Sequence, residues 1–361
     1  GTSTLSGGST QVVGVFLDSS SVNNIVGPFN VISGNATGVR ILNAGSSNNQ
    51  IKSNYIGVNV SGNVLLPNNI GVEISTDTIS SNGNINITGM GQGTGKDNDG
   101  VKLTSGDGLT SISTSSAGNI HITGNASANS SGASIGLNIA GASIESELGT
   151  LELEGSGINT EGVKIDSIFY TNIIGNQSTQ SGDITISAGR VGGLDSFLVT
   201  SDPQSPSSTP IFYGAGKLIL KPKNSGTSIG IFNATIGDFN LSNDDLNAVS
   251  SGFSKVVIGD VNAGSITYGN GSPTSYVFPA ALDLVTSGTV TFNDTLATNT
   301  GNWIVYSSNL ITDNTAGLVY DFKQYNANYG DAVLGTGSGF LYSVAPTLTA
   351  SLIGTPSKSY D

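Results

Sequence analysis

Hydrolysis of a glycosidic bond needs two carboxyl groups at a fixed separation, one as acid and the other as base or nucleophile. Asp244-Asp245 is the one adjacent acidic pair in the chain. With no Arg or His near it in sequence, it reads as a solvated turn. Glu145, Glu147, Glu152, Glu154 and Glu161 form an acidic stretch, in which alternation sets Glu152 and Glu154 on one outward face. That face, too, reads as solvated rather than as a catalytic or cation site. His121 is the single histidine; it falls at an outward position and reads as an exposed bystander. In Lys96-Asp97-Asn98-Asp99-Gly100 the residues a calcium ion would use are Asp97 and Asp99. The spacing fits neither the EF-hand loop nor the glycine-rich nonapeptide, so a plain turn is the expectation. Gly89-Met90-Gly91-Gln92-Gly93-Thr94-Gly95-Lys96 superficially matches a phosphate loop, but Asp97 stands where the magnesium-binding Ser or Thr would be. Trp303 with Tyr306 has the ring area to stack on a sugar, although packing at the end of a core is the simpler role.

The elements that position these groups must be built from an unusual composition. Of 361 residues, 51 are glycine and only 10% are charged, against about 25% in ordinary domains. The hydrophobic share of 36% still supports a packed core. A net charge of −13, with Arg40 and Arg190 the only arginines, argues against nucleic acid or an anionic membrane as partner. The absence of Cys excludes a disulfide scaffold and thiolate metal sites, and no cofactor or metal is expected. No run of about 18 apolar residues could span a bilayer. The start, Gly1-Thr2-Ser3-Thr4, lacks the charged and apolar regions of a leader and reads as a processed or trimmed end.

Internal repetition is the strongest signal. Gly83-Asn84-Ile85-Asn86-Ile87, Gly118-Asn119-Ile120-His121-Ile122, Gly149-Thr150-Leu151-Glu152-Leu153 and Gly182-Asp183-Ile184-Thr185-Ile186 recur at 35, 31 and 33 residues. A second set interleaves: Gly38-Val39-Arg40-Ile41, Gly71-Val72-Glu73-Ile74, Gly100-Val101-Lys102-Leu103, Gly136-Leu137-Asn138-Ile139 and Gly162-Val163-Lys164-Ile165. Each unit alternates apolar and polar residues, the pattern of a half-buried strand. Strands this short cannot bury a face alone and must stack. The expected fold is therefore all-β, a right-handed parallel β-helix (solenoid) with an aromatic-rich C-terminal cap or junction. Roughly 15–18 coils at about 4.8 Å each predict a rod on the order of 80 Å. A β-sandwich would suit short strands too, but no aromatic residue occurs between Tyr55 and Phe169, where sandwich cores usually have them. Helix is expected at most for a turn around Asp244–Val249.

Residues 1–264 read as coils, with surface-loop insertions near 58–70 and 192–214, the second marked by Pro203, Pro206 and Pro210. Residues 265–345 read as terminal coils and a cap, since Trp303, Tyr306, Tyr320, Phe322, Tyr325, Tyr329, Phe340 and Tyr342 crowd there. Residues 346–361 read as the start of a following repeat domain.

The Gly-Asn-Ile-x-Ile-Thr-Gly and Gly-Val-Lys-Ile units resemble the passenger repeats of filamentous-haemagglutinin-type exoproteins of two-partner secretion systems. Gly301-Asn302-Trp303-Ile304-Val305-Tyr306, Asp321-Phe322-Lys323-Gln324-Tyr325 and Ser359-Tyr360-Asp361 are similar to the junction where such a β-helix passes into repeats beginning Tyr-Asp-Gly. The resemblance covers most of 80–361; the secretion domain of that family is not evident at the N-terminus. It implies one segment of a longer bacterial surface or secreted protein, extracellular, structural and adhesive, and not an enzyme. The implied partners are host or neighbouring-cell glycans or proteins, copies of itself in a filament, and an outer-membrane secretion partner. The competing reading is a polysaccharide-binding or polysaccharide-degrading β-helix. That reading requires two carboxylates, or one with a Lys or Arg, to converge on one outward groove. An ice-binding helix would need regular Thr ladders, which the irregular Thr spacing does not offer.

Overall fold

The computed structural model describes residues 11–347 apart from 19, 43–48, 52–53, 62–63, 65, 67, 76–77, 82, 92–97, 106–108, 116, 127–133, 167–171, 177–179, 192–196, 201–210, 233–236, 272–275, 309, 311–312 and 316, together with Gly354 and Lys358. Among these residues the chain is all-β and its paired strands run parallel, an architecture consistent with a solenoid. The repeats seen in the sequence are its strands. Ile85–Gly91, Ile120–Ala126, Leu151–Ile158 and Ile184–Val191 pair in register, so that Ile85, Ile120, Leu151 and Ile184 lie side by side. Lys217–Pro222, Lys255–Gly259, Leu282–Val285, Trp303–Ser307, Gly339–Tyr342 and Phe322–Tyr325 extend them into a ten-stranded sheet. The second set, with Gln11–Asp18 before it and Phe197–Thr200 after it, forms a seven-stranded sheet. The last of these strands lies inside the 192–214 span expected to be loop.

A third strand in each repeat went unrecognised in the sequence. Thr78–Ser81, Thr110–Thr114, Ala142–Ser146 and Ile173–Ile174 stack in a four-stranded sheet. Each sets one large aliphatic inward, Ile79, Ile112, Ile144 and Ile174, all buried. One apolar residue is too little to show as alternation. Three strands per repeat also mean fewer and longer repeats than 15–18. The ten-stranded ladder spans nine steps of about 4.8 Å, or about 43 Å. Along this length the core changes from Ile, Val and Leu to Phe197, Phe212, Phe239, Tyr268, Phe292 and Phe340, all fully buried.

The glycine that opens each repeat is required by space. A Cβ on Gly118 would lie 2.5 Å from the Gly83 carbonyl oxygen, on Gly149 2.2 Å from that of Gly118, and on Gly182 2.1 Å from that of Gly149. The residue after it makes the corner. Asn84 Oδ1 accepts the Asn119 N–H at 2.9 Å, Asn119 Oδ1 accepts that of Thr150 at 2.8 Å, and Asp183 Oδ1 accepts that of Lys217 at 2.8 Å. Side chains thus continue the ladder where the strands have ended. Asn119→Ala should cost about 1 kcal/mol, the worth of one hydrogen bond. Urea unfolding would check this; Asn119→Asp, which keeps the acceptor, should cost less.

Serine and acidic residues set the one short helix among the described residues, Asn243–Asn247, where the sequence allowed a turn. Ser242 caps it and Asp245 completes a capping box. The sequential stacking order ends near the C-terminus. Gly339–Tyr342 inserts between Trp303–Ser307 and Phe322–Tyr325, which is therefore the edge strand although it comes earlier in the chain. Phe340 lies parallel to Tyr342 at 5.9 Å and meets Trp303 edge-on at 5.4 Å. The 58–70 excursion lies between strands Tyr55–Ile56 and Ile70–Ser75. Most of 346–361 lies outside the described residues.

Candidate functional site

In the ten-stranded sheet the inward positions hold aliphatics, so the intervening residues face outward. Registry sets His121 beside Glu152 and Thr123 beside Glu154, a two-by-two array on adjacent strands. The side chains converge over it. His121 Nε2 lies 3.8 Å from Glu152 Oε2 and 3.8 Å from Glu154 Oε2. Thr123 Oγ1 is 2.9 Å from the same ring nitrogen. Lys223 reaches in from a later repeat, its Nζ 2.7 Å from Glu154 Oε1 and 3.0 Å from Asn125 Oδ1. His121, Glu152 and Glu154 are the one set of three metal-ligating side chains with donor atoms within 4.8 Å of one another among the described residues.

The group is local. Next to it in the same rows stand Asn86 and Thr88 on one side, Thr185 and Ser187 on the other, all uncharged. Alternation sets Glu152 and Glu154 on one outward face, but not His121 beside them. The signal was in the repeat alignment: Gly118 to Ile122 laid over Gly149 to Leu153 puts His121 against Glu152. Lys223 could not be placed the same way, because it follows the Lys217–Pro222 strand and reaches back across the Ile184–Val191 strand to Glu154.

The other candidate residues are held in structural roles. Asp97 lies outside the described residues. Asp99 is buried, and its two oxygens accept the Ile135 N–H at 3.0 Å and the Asn138 amide at 2.9 Å. These bonds tie one repeat to the next. Asp245, read as half of a solvated pair, is 1% exposed; it receives the Ser242 N–H and hydroxyl and the Val199 N–H. Trp303 and Tyr306 are both buried, Trp303 against Phe340 in the core and Tyr306 edge-on to Tyr329 at 5.1 Å. Neither presents a ring face for a sugar.

The far end of the same outward face is apolar. Val257, Val285, Ile304, Tyr306 and Leu341 form a cluster with Ala327. Within it Asp283 is 2% exposed and receives both Oδ hydrogen bonds from Lys255 Nζ, at 2.9 and 2.8 Å. Burial raises the Asp283 carboxyl above its usual range, and the lysine offsets this only in part. Burial raises Asp313 as well, against the Ser307 hydroxyl and the Val290 N–H that it accepts. A carboxyl raised on folding contributes stability that is present below its unfolded pKa and is lost as pH rises through the folded value. The stability of wild type relative to Asp313→Asn should therefore rise as pH falls from neutral toward the ordinary aspartate pKa of about 4. Urea midpoints across that range would check it, and a relative fall would contradict it.

No known family model matches the chain, and neither curated proteins nor solved structures gave a match.

Proposed function

We propose that this chain is a structural and adhesive segment of a bacterial cell-surface or secreted filamentous protein, folded as a right-handed parallel β-helix. The observation that carries this reading is the in-register ladder of ten parallel strands, continued at the corners by Asn and Asp side chains. Such a ladder suits a stiff stalk, since each repeat contacts only its neighbours along one axis. The outward rows of Ser, Thr and Asn offer many weak hydrogen bonds to glycans or to a neighbouring rod. The resemblance to filamentous-haemagglutinin-type repeats supports the same reading. Its partners would then be surface glycans or proteins, copies of itself and a secretion partner.

Binding of the purified chain to a glycan array and to cells, with rods resolved by electron microscopy, tests the proposal. Compact particles, or rods that bind neither glycans nor cells, would overturn it. A second reading rests on one observation: Glu152, Glu154 and Lys223 meet on one outward face, the convergence a polysaccharide-active helix requires. Release of reducing ends or unsaturated sugars from polysaccharides, lost in Glu152→Gln and Glu154→Gln, would favour it over adhesion.

A further inference from the structure

We propose that His121 Nε2, with one carboxylate oxygen each from Glu152 and Glu154, binds a divalent first-row transition-metal ion of the zinc type on the outward face of the ten-stranded sheet. The donor set is the first argument. One imidazole nitrogen and two carboxylate oxygens suit a borderline ion that takes few ligands. Calcium would need six to eight oxygens, and three donors including a nitrogen do not supply them.

Distance is the second argument. Ligands about 2.0–2.1 Å from a tetrahedral ion stand about 3.3 Å apart. The imidazole nitrogen is already 3.8 Å from each carboxylate oxygen. Side-chain rotation of about half an ångström brings each carboxylate oxygen to that distance from the imidazole nitrogen, and the two carboxylate oxygens, within 4.8 Å of each other, close by rotation of the same two glutamate side chains. No backbone movement is needed, because registry fixes His121 beside Glu152 and Thr123 beside Glu154. Sites carried on paired strands hold their geometry better than sites on loops.

The third argument is charge placement. Asn86, Thr88, Thr185 and Ser187 flank the group, all uncharged, so the imidazole and both carboxylates are concentrated at one place on the sheet. Lys223 binds Glu154 Oε1, leaving Oε2 turned to His121. The lysine thus opposes a cation electrostatically without occupying the ligand oxygen. Its removal should tighten binding. The Thr123 hydroxyl, now on Nε2, would yield that nitrogen to the ion and remain beside it.

His121 is the only histidine in the chain, so one imidazole resonance reports the site in a tag-free protein. On titration with Zn²⁺ that resonance should shift and saturate at one equivalent, while Mg²⁺ leaves it unchanged. Glu152→Gln and Glu154→Gln should each weaken the affinity at least tenfold, and Lys223→Met should strengthen it several-fold. All three positions face outward, and circular dichroism would verify that the fold is retained. An imidazole signal that does not saturate would overturn the proposal, as would equal responses to Zn²⁺ and Mg²⁺. The Lys223→Met result stands independently of the glutamate variants: unchanged or weaker binding there counts against the site.

Discussion

Gly155→Ala is expected to destabilise the protein by about 3 kcal/mol, at the upper end of what overpacking costs. A Cβ at this position would sit 1.9 Å from the Gly162 carbonyl oxygen and 2.8 Å from Val163 Cγ2. The first obstacle is backbone, so no side-chain rotation relieves it. Here the ten-stranded and seven-stranded sheets approach each other, and the same contact recurs at Gly89 with Gly100 and at Gly124 with Gly136. A local shift at Gly155 therefore propagates into both ladders. Gly226→Ala is the comparison that isolates the steric part. Gly226 has φ of +75° and open space where its Cβ would go, so only the left-handed backbone penalty of about 1–2 kcal/mol applies. Urea unfolding of both variants would measure the difference. Equal losses would mean that the sheets separate easily at this seam.

The repeats made the strands legible because a period close to 33 residues places like residues beside like, and a parallel stack needs that. Ile120, Ile122, Leu151 and Leu153 were readable as core from alternation alone, and all are fully buried. The reason for the leading glycines was less legible. Positive φ at corners is a sound general expectation, yet Gly118, Gly149 and Gly182 are not among the residues with positive φ, and they are glycine because carbonyls of the preceding repeat lie against them. Spacing within one repeat cannot reveal a contact between two. The same limit hid the site. His121 on one strand and the Glu152–Glu154 pair on the next each look solvated alone, and only registry brings them together. Burial of Trp303 and Tyr306 follows from strand order near the end, where Gly339–Tyr342 inserts out of sequence. No composition signal anticipates that insertion.

Lys255→Met should cost about 3 kcal/mol at neutral pH, because it strands a buried carboxylate. Asp283 is paired in register with Val257 on one side and Ile304 on the other, both nearly buried. Methionine fills the stem of the lysine but supplies no donor to either oxygen. Lys217, beside Lys255 in the neighbouring strand, adds attraction at a distance and no hydrogen bond to Asp283 is seen from it. The carboxyl can escape the penalty by taking up a proton, so the loss should shrink as pH falls and grow as pH rises. The double variant Lys255→Met/Asp283→Leu separates two explanations. If the loss comes from the unpaired charge, removing the charge as well should return stability to wild type or above, since apolar replacements of a buried pair are often neutral or stabilising. If the pair instead fixes how the 326–331 segment lies over Tyr306, the double variant should stay weak even at acidic pH. The surroundings favour the first outcome: Val285, Ile304 and Leu341 already cover this face without polar help, and a leucine at 283 extends that cluster by one residue. The ion pair then contributes less than the apolar packing it interrupts, and the end of the ladder is held chiefly by the aromatic and aliphatic side chains that close it.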